Sequence, residues 1–278
     1  MFIEILKTII LGIVQGITEW LPISSTGHMI LFNQFLHLNF DKAFVDLFMV
    51  VIQFGSILAV ITLYFNRLNP FGSKKTSEEK KQTWNMWLKV MAAVLPAAVI
   101  GLKYDDVITQ YCYNSYVVAA ALIIYGILFI VIENRKKSNK IESISKISYK
   151  TALLIGLFQV LALIPGTSRS GATILGAILL GLSRKSAAEF SFFLAIPVML
   201  GASALKIFKY IIYYGFMGAS EFIVLLAGML TAYIVSLFVI KFLMRYIKNH
   251  NFKAFGYYRI VLGILILLYF AFSGASIA

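Results

Sequence analysis

Runs of about twenty apolar residues, the length that carries a helix across a bilayer, recur at residues 43–65, 84–102, 116–132, 188–212, 221–244 and 258–275. Each predicts one transmembrane helix. Two further apolar stretches, 1–37 and 151–182, break that pattern. Each is an apolar half, a polar interruption and a second apolar half too short to cross, 29–36 in the first case. Pro22 and the Pro165-Gly166 pair stop helices at the interruptions. The pattern predicts two re-entrant helix–turn–helix hairpins, which a membrane admits only where the non-helical backbone is enclosed by protein. The predicted fold class is an all-α polytopic membrane protein, six transmembrane helices plus two re-entrant hairpins in a single integral membrane domain over residues 1–278.

The hairpins resemble each other at a constant offset of 144 residues. Gly12 and Gly156, Gln15 and Gln159, Ser24 and Ser168, and Gly27 and Gly171 are identical, and Thr26 faces Ser170. With repeat 1 over about 1–133 and repeat 2 over about 151–275, the hairpins enter from opposite sides, as an inverted-topology repeat requires. Treating them as hairpins leaves the loops 66–89, 134–150, 183–186 and 241–259 on one face, with 19 of the 25 Lys and Arg. The positive-inside rule makes that face cytoplasmic and puts both termini outside. Composition agrees: 60% hydrophobic and 13% charged residues exclude the soluble globular class. The formal charge of +13 then belongs to orienting loops rather than to nucleic-acid binding. Cys112, the single cysteine, excludes an intrachain disulfide and a cysteine metal site. Glu4 ahead of Lys7, with no small-residue cleavage site after them, speaks against a signal peptide.

Chemistry concentrates in the two interruptions, residues 15–28 (QGITEWLPISSTGH) and 165–173 (PGTSRSGAT). Unpaired polar groups cost several kcal/mol each in hydrocarbon, so such density predicts a protein-lined cavity at which the two turns meet. Glycine-rich turns that open helices offer backbone N–H donors and a favourable dipole for phosphate. Arg169 can clamp phosphoryl oxygens bidentately, or simply pair with Glu19. Ser24, Thr26, Gly27, Gly166, Thr167, Ser168 and Ser170 are candidate phosphate contacts, with helix capping the plainer role for some of the hydroxyls. Ser25 and His28, three apart at a helix start, fit an activated hydroxyl nucleophile. Glu19 and Gln15 share a helical face. Glu19 could serve as general base, proton relay or ligand of Mg²⁺ or Ca²⁺, with Gln15 beside it. Gln53 and Gln159 are expected to tie helices together, Glu189 to be an interfacial charge at a helix start, and His37 and His250 to lie at the surface.

QGITEWLPISSTGH and PGTSRSGAT, with VVIQFGSILAV (50–60) and EFSFFLAIPVMLGA (189–202), resemble the undecaprenyl-diphosphate phosphatase (BacA/UppP, bacitracin-resistance) family over essentially the whole chain. The resemblance implies a bacterial plasma-membrane hydrolase that converts undecaprenyl diphosphate to undecaprenyl phosphate and inorganic phosphate for cell-wall synthesis. It also implies a site reached from the outer face, dependence on a divalent cation (Mg²⁺ or Ca²⁺), and bacitracin resistance through the substrate that this antibiotic shares. It marks Glu19, Ser25, His28 and Arg169 as essential. Either Ser25 attacks the terminal phosphorus with help from His28 and Glu19, or His28 attacks and Ser25 orients. Gln15, where the family carries Glu or Gln, weakens any mechanism that needs two carboxylates there. A homodimer stays open. Two other readings compete: a lipid phosphatase of the acid-phosphatase type, disfavoured because no histidine follows Arg169 until His250, and a lipid-phosphate transporter or flippase with the same midplane site.

Overall fold

The computed structural model describes residues 1–135 and 141–273. Lys136, Lys137 and Lys140 of the predicted basic loop, and residues 274–275 of the last predicted crossing, lie outside the described residues. Among the described residues the fold is helical throughout: α1 (Phe2–Thr18), α2 (Ser25–Leu36), α3 (Lys42–Leu63), the single turn α4 (Phe65–Leu68), α5 (Ser77–Cys112), α6 (Ser115–Asn134), α7 (Tyr149–Val160), α8 (Arg169–Leu179), α9 (Arg184–Tyr214), α10 (Ala219–Asn249) and α11 (Lys253–Ser273). Six of these, α3, α5, α6, α9, α10 and α11, are long and apolar enough to cross a membrane, and each coincides with one of the predicted crossings, α3 ending two residues before the predicted 65. The chain is a multi-pass membrane protein. By contrast α2, α7 and α8 have 12, 12 and 11 residues, and at 1.5 Å per residue they fall well short of a ~30 Å hydrocarbon core.

Helix ends follow local chemistry. Thr76 and Glu79 form a reciprocal capping box, the Thr76 N–H donating to Glu79 Oε2 (2.8 Å) and the Glu79 N–H to Thr76 Oγ1 (3.2 Å), so α5 starts inside the segment expected to be aqueous loop. It then runs 36 residues to Cys112, taking in most of the polar segment predicted to separate two crossings. Asn114, Ser148, Ser168 and Ser183 each accept a backbone N–H bond at the starts of α6, α7, α8 and α9. Pro197 sits inside α9 without ending it.

The short helix pairs return to their starting points. Near the start of α1, Glu4 accepts from the Asn39 N–H (2.9 Å) and Lys7 donates to the His37 carbonyl (2.6 Å), both just beyond α2. Ahead of α7, Ile141 bridges to Leu182, just beyond α8, with the Ser183 N–H donating to Ile141 O at 2.9 Å. Around them α1 packs on α10, α7 on α5, α3 on α9 and α6 on α11. The first two contacts are close enough to exclude a side chain at matching positions: a Cβ on Gly12 would meet Gly228 O at 2.8 Å, and one on Gly156 would meet Ala93 O at 2.3 Å. The largest apolar cluster among the described residues, which includes Trp20, Phe190, Phe192 and Phe193, draws on α3, α5, α6, α7, α8, α9 and α10. Glu189, expected at an interface, is instead buried and paired with Arg67 at 2.9 Å. A buried carboxylate needs a counter-charge, and Arg67 of α4 delivers one.

Gly156→Val should lower the thermal midpoint in detergent by an amount equivalent to at least about 1–3 kcal/mol, because the clash is with backbone. Gly201→Ala, whose Cβ meets nothing within 4 Å, should leave the midpoint unchanged. Equal midpoints for both variants would contradict the packing described.

Candidate active site

The turns between α1 and α2 and between α7 and α8 share an unusual backbone. Ser24 and Ser168 are two of the three non-glycine residues with positive φ among those described, at 74° and 73°, a conformation that costs about 1–3 kcal/mol and persists only where surroundings impose it. Each hydroxyl then accepts the N–H three residues on, from Gly27 at 3.3 Å and from Gly171 at 3.1 Å. In the second turn Gly166 carries φ 91°, and a Cβ there would sit 2.5 Å from Val118 O, so only glycine fits.

The turns are joined through Glu19. Its Oε1 accepts from Arg169 Nη2 at 2.8 Å, and its Oε2 accepts from Ser25 Oγ at 2.8 Å and Gln15 Nε2 at 3.0 Å. The Ser170 hydroxyl donates to the Glu19 carbonyl at 3.1 Å. Arg169 is held further by the Ser191 carbonyl at 2.8 Å and lies over the Trp20 ring at 5.6 Å. Glu19 is 5% and Arg169 12% exposed at the side chain. Breaking an ion pair this buried costs about 3–5 kcal/mol.

A second arginine lies behind the turns. Arg259, on α11, is fully buried and donates to Gly166 O (2.8 Å), Thr167 O (2.9 Å) and Pro22 O (3.2 Å), with its guanidinium over Tyr125. Although it closes the basic segment 241–259 in sequence, its side chain is enclosed by protein rather than exposed. Arg259 lies in the second turn of a helix that starts at Lys253, where turn carbonyls lacking helical partners need donors.

One cavity of about 550 Å³ opens beside Glu19, Ser25, Thr26, Gly166, Ser168 and Arg169. The remainder of its wall is largely apolar, from α5 (Ala97, Ala98, Leu102) and α9 (Met199, Leu205). A charged end and an oily length suit an amphiphile with an anionic head.

A family model described as bacitracin resistance protein BacA matches residues 8–265. Undecaprenyl-diphosphatase 1 of Clostridioides difficile (strain 630) is 60% identical over 268 residues, 96% of this chain and 97% of that protein. The undecaprenyl-diphosphatases of Acetivibrio thermocellus and Enterococcus faecalis (strain V583) are 59% and 56% identical, over 96% and 98% of this chain and 98% and 100% of theirs. The chain belongs to the BacA family.

In this BacA chain the site residues expected from sequence divide into two groups. Glu19, Ser25, Thr26, Gly166, Ser168 and Arg169 meet at the cavity. Ser24 and Gly27 form the first turn's cap, Thr167 lends its carbonyl to Arg259, and Ser170 bridges the turns. The hydrogen bonds of His28 go elsewhere than Ser25: Nδ1 lies 2.7 Å from the Ser24 carbonyl and Nε2 2.7 Å from the Tyr258 hydroxyl. A carbonyl only accepts, so Nδ1 carries the proton. The spacing argument for a Ser25–His28 pair overlooked that a serine at the helix start can reach back to Glu19.

Arg259→Met should raise hydrogen exchange at the backbone amides of both turns, residues 22–27 and 165–171, although the substitution lies in neither. Faster exchange in one turn only, or in none, would contradict its role as their common anchor.

Proposed function

We propose that this protein is an undecaprenyl-diphosphate phosphatase that releases inorganic phosphate and returns undecaprenyl phosphate for cell-wall synthesis. The observation that carries the reading is Glu19, held at the same time by Arg169 of one turn and Ser25 of the other at the charged end of a lipid-sized cavity. Ser25 Oγ attacks the terminal phosphorus and passes its proton to Glu19. The bond between that phosphorus and the bridging oxygen breaks, and undecaprenyl phosphate leaves. Water then hydrolyses the phosphoserine, one of its protons returning to Ser25 Oγ, and Glu19 loses its proton to solvent. Protonating Glu19 removes the charge that holds Arg169, so the guanidinium becomes available to the phosphoryl oxygens as their charge develops. Ser25 is favoured over His28 as nucleophile because both ring nitrogens of His28 are already engaged.

The divalent cation expected from the resemblance finds few donors. Among the described residues Glu19 is the one carboxylate on the cavity wall, and its oxygens face Arg169, Ser25 and Gln15. Among the described residues no three His, Cys, Asp or Glu gather to hold a metal. The described groups of the site do not fit a resident ion, and no step runs through one.

The helix pairs α1–α2 and α7–α8 are read as re-entrant hairpins of an inverted repeat. Their closed bases, the matched φ at Ser24 and Ser168, and the pairing of α1 with α10 and α7 with α5 support this. With the basic loops cytoplasmic, both termini lie outside. The aromatic cluster under Trp20 then seals the cytoplasmic side, and the cavity opens outward between α5 and α9. The enzyme raises bacitracin resistance by consuming the lipid that the antibiotic binds.

Purified protein in detergent should release phosphate from undecaprenyl diphosphate with no membrane gradient, and Arg169→Ala should reduce kcat/KM by about 10²–10³-fold. Lipid movement in vesicles without phosphate release would replace the phosphatase reading with the transporter.

A further inference from the structure

Gln159 was expected to tie helices together, yet neither its amide nitrogen nor its amide oxygen has a hydrogen-bond partner in the protein, and the residue is 2% exposed. It lines the same cavity as Glu19, Ser25 and Arg169. A buried amide left without partners is destabilising, so a purely structural glutamine here would be a net liability.

Its counterpart in the first hairpin supplies the reason. Gln15, 144 positions earlier, donates Nε2 to the Glu19 carboxylate one helical turn on, at 3.0 Å. The residue one turn beyond Gln159 is Leu163, which also lines the cavity. The second hairpin keeps the donor and lacks the anion. An unpartnered amide buried in the cavity wall is therefore matched to an oxyanion that the protein does not provide.

We infer that Gln159 is a substrate-binding residue whose Nε2–H donates to a phosphoryl oxygen of the diphosphate while Arg169 neutralises its charge. A neutral donor suits this place. A second cation would compete with Arg169 for Glu19 in the resting site, whereas an amide strengthens the hold on phosphate without drawing Glu19 away from Arg169. The inference rests on the phosphatase reading and names a contact within it.

The test is phosphate release from undecaprenyl diphosphate by detergent-purified wild type, Gln159→Leu and Gln159→Glu, with thermal midpoints measured on the same preparations. Gln159→Leu should keep or raise the midpoint, since it removes unpartnered polar atoms, while kcat/KM falls at least about tenfold, the worth of one hydrogen bond to a charged group. Gln159→Glu keeps the shape, removes the donors and adds negative charge, and should fall further. If Gln159→Leu does not fold, the Glu variant alone decides. Activity within twofold of wild type in a folded variant overturns the inference and spares the phosphatase reading. No phosphate release by wild type overturns the reading itself.

Discussion

A carboxylate buried among apolar helices has to be neutralised where it sits, and the Glu19–Arg169 pair is how this protein meets that demand. Because the partners come from different turns, the pair also dictates how the turns approach each other. The Ser170 bridge to the Glu19 carbonyl and the three-carbonyl grip of Arg259 fix the same approach from behind. Ser25 is thereby pointed at Glu19 Oε2 at 2.8 Å. The reactive geometry is a by-product of the way the charge is kept neutral.

The two turns carry the same backbone and different chemistry. Ser24 and Ser168 share their left-handed φ and their capping bond, while the next residues along are Ser25 in one turn and Arg169 in the other. Glu19 corresponds to Leu163 and His28 to Ala172. Hydroxyl and cation thus occupy equivalent positions in the two turns and line a shared cavity. On the proposed reading, the matched turns place two helix N-termini at one cavity, one carrying the attacking hydroxyl and the other the anion clamp.

Much of this was legible in the chain, because the length of an apolar run and a proline break are local signals. The six crossings, the two interrupted segments, and Glu19, Ser25 and Arg169 at a common site all follow from such signals. The ends of α5 did not, although Thr76 and Glu79 spelled its capping box. Arg259 was hidden because it closes a basic segment in sequence, yet its carbonyl partners lie over 90 residues away. The same distance problem hid Tyr258 beside His28, separated by 230 positions. Gln159 was visible as a polar residue in an apolar helix, but whether it met protein or cavity depended on packing that no local pattern encodes.

The central claim is that Glu19 acts on the reaction through Ser25. A double-mutant cycle on phosphate release, with Ser25→Ala, Glu19→Gln and the two combined, tests it most directly. The account predicts strong non-additivity, the double variant falling within about threefold of the slower single variant, because residues that act as a unit lose their contribution once. Losses that multiply would mean that the two side chains serve separate steps, and would contradict the account.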